Sequence, residues 1–381
     1  MKLRNLAFQL HRYLGLAAGL VIVIVGLTGS LLVFEEEINH FLLEVQFGKI
    51  TPQQQQVSIL SVIDNVKVAY PDPKLNVSFL GLPQEPDEPI HIELQSPNKP
   101  TLEVIVNPYT GKILGDRARE YTIMGVIYNL HYSLLAGDTG VAIVGIAALL
   151  LFILSITGIM LWPGWRRLLT GFKIKWNAHI KRTNFDIHKV AGIITAVFLG
   201  LTGFTGFCWN FYTHAEPVIY AVTFSPKPIE PESKPIAGKS ALALTEILQR
   251  ADAALPGAVT TYISFPTSPE AVFMVGKRFP EEKEVWRSRV YLDQYTGEVL
   301  YLRNSRSLSF GDEVVDAFNP LHFGTFGGLP TRILYIFVGL SPTILLVTGF
   351  VMWRYRYRPK LLNSDHTSKA LAGYFSFFKR Q

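Results

Sequence analysis

Leu10-His11-Arg12-Tyr13-Leu14-Gly15, with Thr28-Gly29 downstream, returns as Asp186-Ile187-His188-Lys189-Val190-Ala191-Gly192, with Thr205-Gly206 downstream. The spacing from histidine to glycine to Thr-Gly is the same in both copies. Two further blocks repeat in the same order. Val106-Asn107-Pro108-Tyr109-Thr110-Gly111-Lys112-Ile113-Leu114 matches Leu292-Asp293-Gln294-Tyr295-Thr296-Gly297-Glu298-Val299-Leu300. His131, Thr157-Gly158 and Trp162 match His322, Thr348-Gly349 and Trp353. Self-similarity over a long period is the mark of a duplicated structural unit.

The unit is set by hydrophobicity. Residues 14–34, 141–162, 190–212 and 333–353 are apolar and free of Asp, Glu, Lys and Arg. Each has the roughly 20 residues that a helix needs to cross a bilayer core. Composition agrees: 49% of residues are hydrophobic and 17% charged, against about 25% charged in soluble domains. The first run is longer than the core of a signal peptide and ends in Glu35-Glu36-Glu37, so it reads as a retained anchor. The unit is therefore helix, domain, helix. An even number of spans gives both copies one orientation, related by a pseudo-two-fold axis along the membrane normal.

Charge orients the spans. Residues 1–13, 163–187 and 354–381 hold 16 of the 36 Lys and Arg, whereas 28 of the 30 acids lie in the loops 35–140 and 213–332. Short basic segments stay on the cytoplasmic side. The expected location is a bacterial inner membrane, with both termini cytoplasmic and both large loops periplasmic. The net charge of +6 is thus a topology signal, and nucleic-acid binding is not expected.

The fold class expected is a membrane α-helical bundle of four transmembrane helices plus two periplasmic α+β domains, as a tandem pseudo-two-fold repeat. The segments are 1–34 (cytoplasmic start and first span), 35–130 (first domain), 131–162 (second span with its approach) and 163–187 (basic loop). The second half comprises 188–212 (third span), 213–321 (second domain), 322–353 (fourth span with its approach) and 354–381 (basic tail). Helical spacing occurs at 57–70 and 241–254. Strand-like runs occur at 75–80, 90–94, 102–106, 259–265, 271–275, 289–292 and 299–302.

Four of the nine histidines lie in the repeat, each beside a membrane boundary. Under the two-fold, His11 faces His188 on the cytoplasmic side, and His131 faces His322 on the periplasmic side. Two facing imidazoles suit axial ligation of a haem iron. His11 is followed on one helix face by Gly15, Ala18 and Gly19, and His188 by Gly192, Thr195 and Ala196; Gly15 and Gly192 would leave room for a flat macrocycle. Gly137 and Gly328 could do the same at the outer pair. No CxxCH occurs, and Cys208 is the sole cysteine, so attachment would be non-covalent: two b-type haems. Zinc and copper fit poorly without nearby Cys, Asp or Glu. His214 is an alternative outer ligand. His40 does not align in the repeat, and His91, His179 and His366 read as solvated. The four Thr-Gly pairs read as helix packing, with threonine bonded to its own helix, and Trp162 and Trp353 as interface anchors.

On these residues the sequence resembles the PepSY-associated transmembrane family. The carriers are the two His-x-x-x-Gly blocks, Asn129-Leu130-His131 with Thr157-Gly158-x-x-x-Trp162, and Pro320-Leu321-His322 with Thr348-Gly349-x-x-x-Trp353. The Tyr-Thr-Gly turns at 109–111 and 295–297 look like the strand turn of PepSY domains. The resemblance covers nearly the whole chain and includes iron-regulated membrane proteins, some of them ferric-siderophore reductases with two haems. It implies that His11, His188, His131 and His322 ligate haem iron. It does not set the substrate; the acceptor expected is a ferric siderophore or other periplasmic Fe(III) chelate, because reduction to the more labile Fe(II) favours release from hard oxygen ligands. Some relatives carry a fused flavoprotein reductase; here no such segment or GxGxxG motif is seen, so a separate cytoplasmic or quinol donor is expected.

Three rivals stand beside an oxidoreductase. One is a non-enzymatic sensor or peptidase regulator built on PepSY domains. Another is a quinone-linked haem oxidoreductase. The third is a transporter, disfavoured because the spans lack charges and, Pro342 aside, proline breaks. Tyr128, Tyr132, Arg303 and Arg306 lie near the expected acceptor side, but read more simply as interface or solvated residues.

Overall fold

The computed structural model describes residues 2–97 and 99–357; most of the basic tail, with His366, lies outside the described residues. Eleven α-helices occur among the described residues: α1 (Lys2–Leu32), α2 (Glu35–Phe47), α3 (Ile59–Ala69), α4 (Ile123–Ser133), α5 (Gly137–Leu161), α6 (Leu168–Phe172), α7 (Ile180–Asn210), α8 (Tyr212–Val222), α9 (Leu244–Ala254), α10 (Phe310–Phe323) and α11 (Leu329–Tyr357). Four of them, α1, α5, α7 and α11, are long and apolar enough to cross a membrane. They start earlier than the apolar runs, because helical hydrogen bonding continues through the polar flanks while hydropathy reports only the greasy stretch. His11 and His188 therefore sit inside α1 and α7.

The four long helices form a ring. Both α1 and α7 pack against α5 and against α11, so α1 and α7 face each other diagonally. Small residues set the closest approaches. A Cβ on Gly26 of α1 would lie 2.5 Å from the Gly339 carbonyl oxygen of α11, and a Cβ on Gly203 of α7 would lie 2.8 Å from the Ala148 carbonyl oxygen of α5. Ser30 Oγ lies within hydrogen-bond distance of the Gly26 and Ile336 carbonyls, at 3.0 and 3.1 Å. Between helices in lipid, such contact and hydrogen bonding replace the hydrophobic effect.

At one end of the bundle lies an antiparallel sheet of eight strands: β1 (Asn76–Gly81), β2 (Ile90–Gln95), β3 (Leu102–Val106), β4 (Ile113–Ala118), β5 (Val259–Ser264), β6 (Val272–Arg278), β7 (Ser288–Asp293) and β8 (Val299–Arg303). Their order is β4-β3-β2-β1-β5-β6-β7-β8. Here the structure differs from the expected pair of separate domains. Leu80 of β1 pairs with Ile263 of β5, so strands from both halves form one sheet over one core. Two separate sheets would each have left that strand as an open edge, and joining them satisfies both rows of backbone groups.

The sheet has two unlike faces, as the period of two requires. Ile92, Val104, Ile263, Val275, Val290 and Leu292 are fully buried on one face, with Val62 and Val66 of α3 and Ile247 of α9. The other face carries His91, Glu93, Glu103, Arg289, Tyr291 and Arg303 and meets α2 and α10. There Glu103 is held by His91 at 2.8 Å and by Arg117 at 2.6 Å, while Arg117 also donates to Asn39 of α2 at 3.1 Å. His91 is thus a network member and not a solvated strand residue. The tight turns at Gly111 and Gly297, with φ of 67° and 69°, account for the glycine in both Tyr-Thr-Gly motifs.

Two expectations follow. Gly26→Val or Gly339→Val forces α1 and α11 apart and costs about 1–3 kcal/mol, seen as a lower unfolding temperature in detergent. Burial tends to raise the Glu103 carboxyl, but the hydrogen bonds from His91 and Arg117 outweigh it and lower the group from 4.5 to about 2. Its contribution to stability is therefore complete above about pH 4.5 and is lost as the pH falls toward about 2. In Glu103→Gln that part of the acid dependence disappears, which pH-resolved denaturation measures.

Candidate functional site

Histidines from diagonally opposite elements meet at both ends of the ring. His11 of α1 and His188 of α7 have ring centres 6.0 Å apart, with planes at 85°. At the sheet end, His131 of α4 and His322 of α10 have ring centres 6.2 Å apart, with planes at 82°. The sequence reading left α4 and α10 undefined. They are short helices that precede α5 and α11, entered through Thr122 and Ser309, whose hydroxyls cap them in the manner usual for helix starts. Gly137 and Gly328 sit at φ of 54° and 67° in the turns into α5 and α11, where a Cβ would meet nothing within 4 Å.

Each imidazole is held by a Thr-Gly motif. His11 Nδ1 donates to Thr157 Oγ1 at 3.0 Å, and His188 Nδ1 to Thr348 Oγ1 at 2.9 Å. His131 Nδ1 lies 3.2 Å from Thr28 Oγ1, and His322 Nδ1 2.7 Å from Thr205 Oγ1. The direction follows from counting protons. Each threonine hydroxyl gives its one proton to the carbonyl four residues earlier, at 2.6–2.8 Å, so it can only accept from the ring. His131 Nδ1 also lies 2.9 Å from the Val25 carbonyl, which can only accept. Nδ1 therefore carries the hydrogen and Nε2 keeps its lone pair. Among the described residues no hydrogen bond reaches any of the four Nε2 atoms.

The glycine beside each threonine touches the ring: a Cβ on Gly29 would lie only 2.9 Å from Cε1 of His131 and one on Gly158 3.3 Å from that of His11, while at Gly206 and Gly349 the distances to His322 and His188 are 3.4 and 3.6 Å. The Thr-Gly motifs are thus the seats of the histidines. The back-bonding read from sequence is present, and it is what turns the hydroxyl into an acceptor for the ring.

The pair His11 and His188 opens into a cavity of about 980 Å³, lined by Gly15, Gly19, Gly192 and Ala196. Ala18 packs instead with Ile22 and Ala147. Arg4, Arg12, Lys181, Arg182 and Arg356 stand around the cavity, and among the described residues no Asp or Glu lines it; Arg182 is paired with Asp186 at 3.1 Å. Lys189, also at its wall, is bonded to the buried Asp186 at 2.6 Å. Trp162 is no interface anchor: it is 6% exposed, lines the cavity, and its buried indole nitrogen has no hydrogen-bond partner among the described residues. Trp353 and His179 line the same space.

His214 and His40 take no part in either ring pair. His214 is exposed on α8, with its ring nitrogen 3.2 Å from Thr213 Oγ1. His40, Glu44 and Asp87 bring ligand atoms within 4.8 Å of one another near α2.

Among known proteins, an uncharacterized protein of Pseudomonas aeruginosa is 26% identical over 259 residues, covering 61% of this chain. The match spans 64% of that relative, under two thirds of its length. Residues 8–356 match the family described as PepSY-associated TM region. With four membrane-crossing helices, a sheet at one end and a match over nearly its whole length, the chain is a membrane protein that belongs to the PepSY-associated TM family.

Proposed function

We propose that the chain is an inner-membrane electron-transfer protein that binds two b-type haems, one at His11 and His188 and one at His131 and His322. It reduces an acceptor on the sheet side, a ferric siderophore or other Fe(III) chelate. The observation that carries this reading is the four-fold His-Thr arrangement, which brings two imidazoles together at both ends of the ring and leaves their Nε2 lone pairs without a hydrogen bond among the described residues. Two metal–imidazole bonds of about 2 Å, with roughly 1.1 Å from each ring centre to its nitrogen, separate ring centres by about 6 Å. The two measured separations fit that span.

Other features of the inner site favour the same ligand. The cavity is of cofactor size. Gly15 and Gly192 keep its walls flat, and the arginines and lysines around it suit carboxylate side arms. Trp162 offers an unused indole N–H. At each end the threonine fixes tautomer and ring orientation, the usual work of an outer-shell partner. Haem held by two imidazoles supplies one-electron transfer and leaves no open coordination position for oxygen.

The chain provides a path because the pairs lie near opposite ends of the bundle. His11 and Thr28, the seat of His131, are both on α1, separated by nearly five turns or about 25 Å. The charge bias supports a sheet on the outer side, with the two halves related by a pseudo-two-fold axis along the membrane normal. The donor is a cytoplasmic reductant or a quinol. A sensor or peptidase regulator built on the sheet has no use for four oriented histidines.

A pyridine haemochrome assay on detergent-purified protein tests the reading. Two haems per chain with low-spin reduced bands are expected. His11→Ala and His322→Ala should each retain about one. Thr157→Val should weaken retention at the inner pair about tenfold or more, the usual effect of losing an outer-shell partner. A protein that stays haem-free after haem supplementation overturns the proposal and leaves the regulator reading.

A further inference from the structure

The two halves of the sheet differ at one matched position. Extending the alignment of 106–114 with 292–300 upstream by three residues sets Glu103 against Arg289. Both are cross-strand partners of an arginine: Glu103 lies opposite Arg117, and Arg289 lies opposite Arg303. The first half thus has an ion pair where the second has two like charges, an arrangement that destabilises a sheet unless something offsets it.

Arg303 has its offset in Asp316 at 2.7 Å and Asp312 at 3.8 Å. Arg289 has no carboxylate partner among the described residues: its Nε donates to the Trp286 carbonyl at 2.9 Å, and the hydroxyls of Tyr262 and Tyr291 lie against its guanidinium. The nearby acids are engaged elsewhere. Asp316 also takes Arg287, Asp312 takes Tyr220 and Ser309, and Glu216 takes Tyr212 and faces Lys227, as does Glu230.

The space around these residues also differs. In the first half, Phe47 of α2 packs its ring against Gly115. The residue matching Gly115 is Tyr301, and the second half holds a cavity of about 560 Å³ whose wall carries Arg289, Arg303 and Lys227, the rings of Tyr291, Tyr301 and Trp209, and the carboxylates of Glu216, Glu230, Asp312 and Asp316. Trp209 reaches onward, with its ring centre 4.8 Å from that of His322.

We propose that this cavity is the acceptor site, in which Arg289 supplies the charge partner of an anionic small molecule resting among Tyr291, Tyr301 and Trp209. A half-buried guanidinium without a carboxylate partner gains one when an anion arrives, and Trp209 lies between the cavity and the outer histidine pair. The acceptor gains one electron and the reduced protein loses one. That role for the ligand rests on the electron-transfer reading; its binding does not.

Equilibrium dialysis of the full-length protein in detergent against radiolabelled ferric citrate, an anionic Fe(III) chelate, is the test. Binding should saturate in wild type, weaken tenfold or more in Arg289→Gln and largely persist in Arg289→Lys. Arg306→Gln, an equal charge loss at an exposed site, should bind as wild type. No binding by wild type, or binding indifferent to Arg289→Gln, overturns the site. Absorption spectra of the same samples separate the two claims. Arg289-dependent binding without haem bands keeps the site and removes electron transfer. Haem bands with Arg289-independent binding do the reverse.

Discussion

A hydroxyl has one proton, and in this protein four threonines use theirs on their own helices. What remains on Thr28, Thr157, Thr205 and Thr348 is an acceptor facing inward, and each takes the Nδ1 hydrogen of a histidine from another helix. This one constraint fixes the tautomer of all four imidazoles, leaves their Nε2 lone pairs unbonded among the described residues, and joins α1 to α5, α7 to α11, α4 to α1 and α10 to α7. The glycine after each threonine touches the ring. Around these contacts the rest of the ring packs through small residues, where backbones approach closely enough for helix-to-helix dispersion to hold in lipid.

The sheet answers a different demand. Each half contributes four strands, and joining them at β1 and β5 buries one shared core beneath α3 and α9 while leaving the second face over the bundle. Both halves lay out their four strands in the same order, so departures between them stand out. In the first half Glu103 pairs with Arg117 and Phe47 packs on Gly115. In the second, Arg289, Tyr291 and Tyr301 line a cavity beside Trp209, whose ring meets that of His322.

Much of this could be read from the residues. Hydropathy located the four long helices, and the repeat singled out His11, His188, His131 and His322, because matched spacing survives where single motifs are ambiguous. The partners of those histidines could not be read. Thr157 lies 146 positions from His11, and nothing local distinguishes a threonine that also receives a ring from one that merely bonds its own helix. The pattern that could have found it was present, since Thr-Gly recurs four times, once for each histidine. Trp162 reads as an anchor by position, and only the fold of α6 against it shows burial. His91 reads as solvated because its partner Glu103 lies on the next strand. The short β4 escaped because Gly115, Asp116 and Arg117 interrupt its alternation, and the joined sheet escaped because pairing between β1 and β5 leaves no local signal.

The measurement closest to the central claim is the electron paramagnetic resonance spectrum of the oxidised, haem-replete protein. The imidazole planes stand at 85° and 82°, and near-perpendicular axial imidazoles give ferric haem a strongly anisotropic low-spin signal. Two such signals are expected, with the inner one lost in His188→Ala and the outer one in His131→Ala. High-spin iron, or low-spin signals that persist in both variants, would contradict ligation by these two pairs.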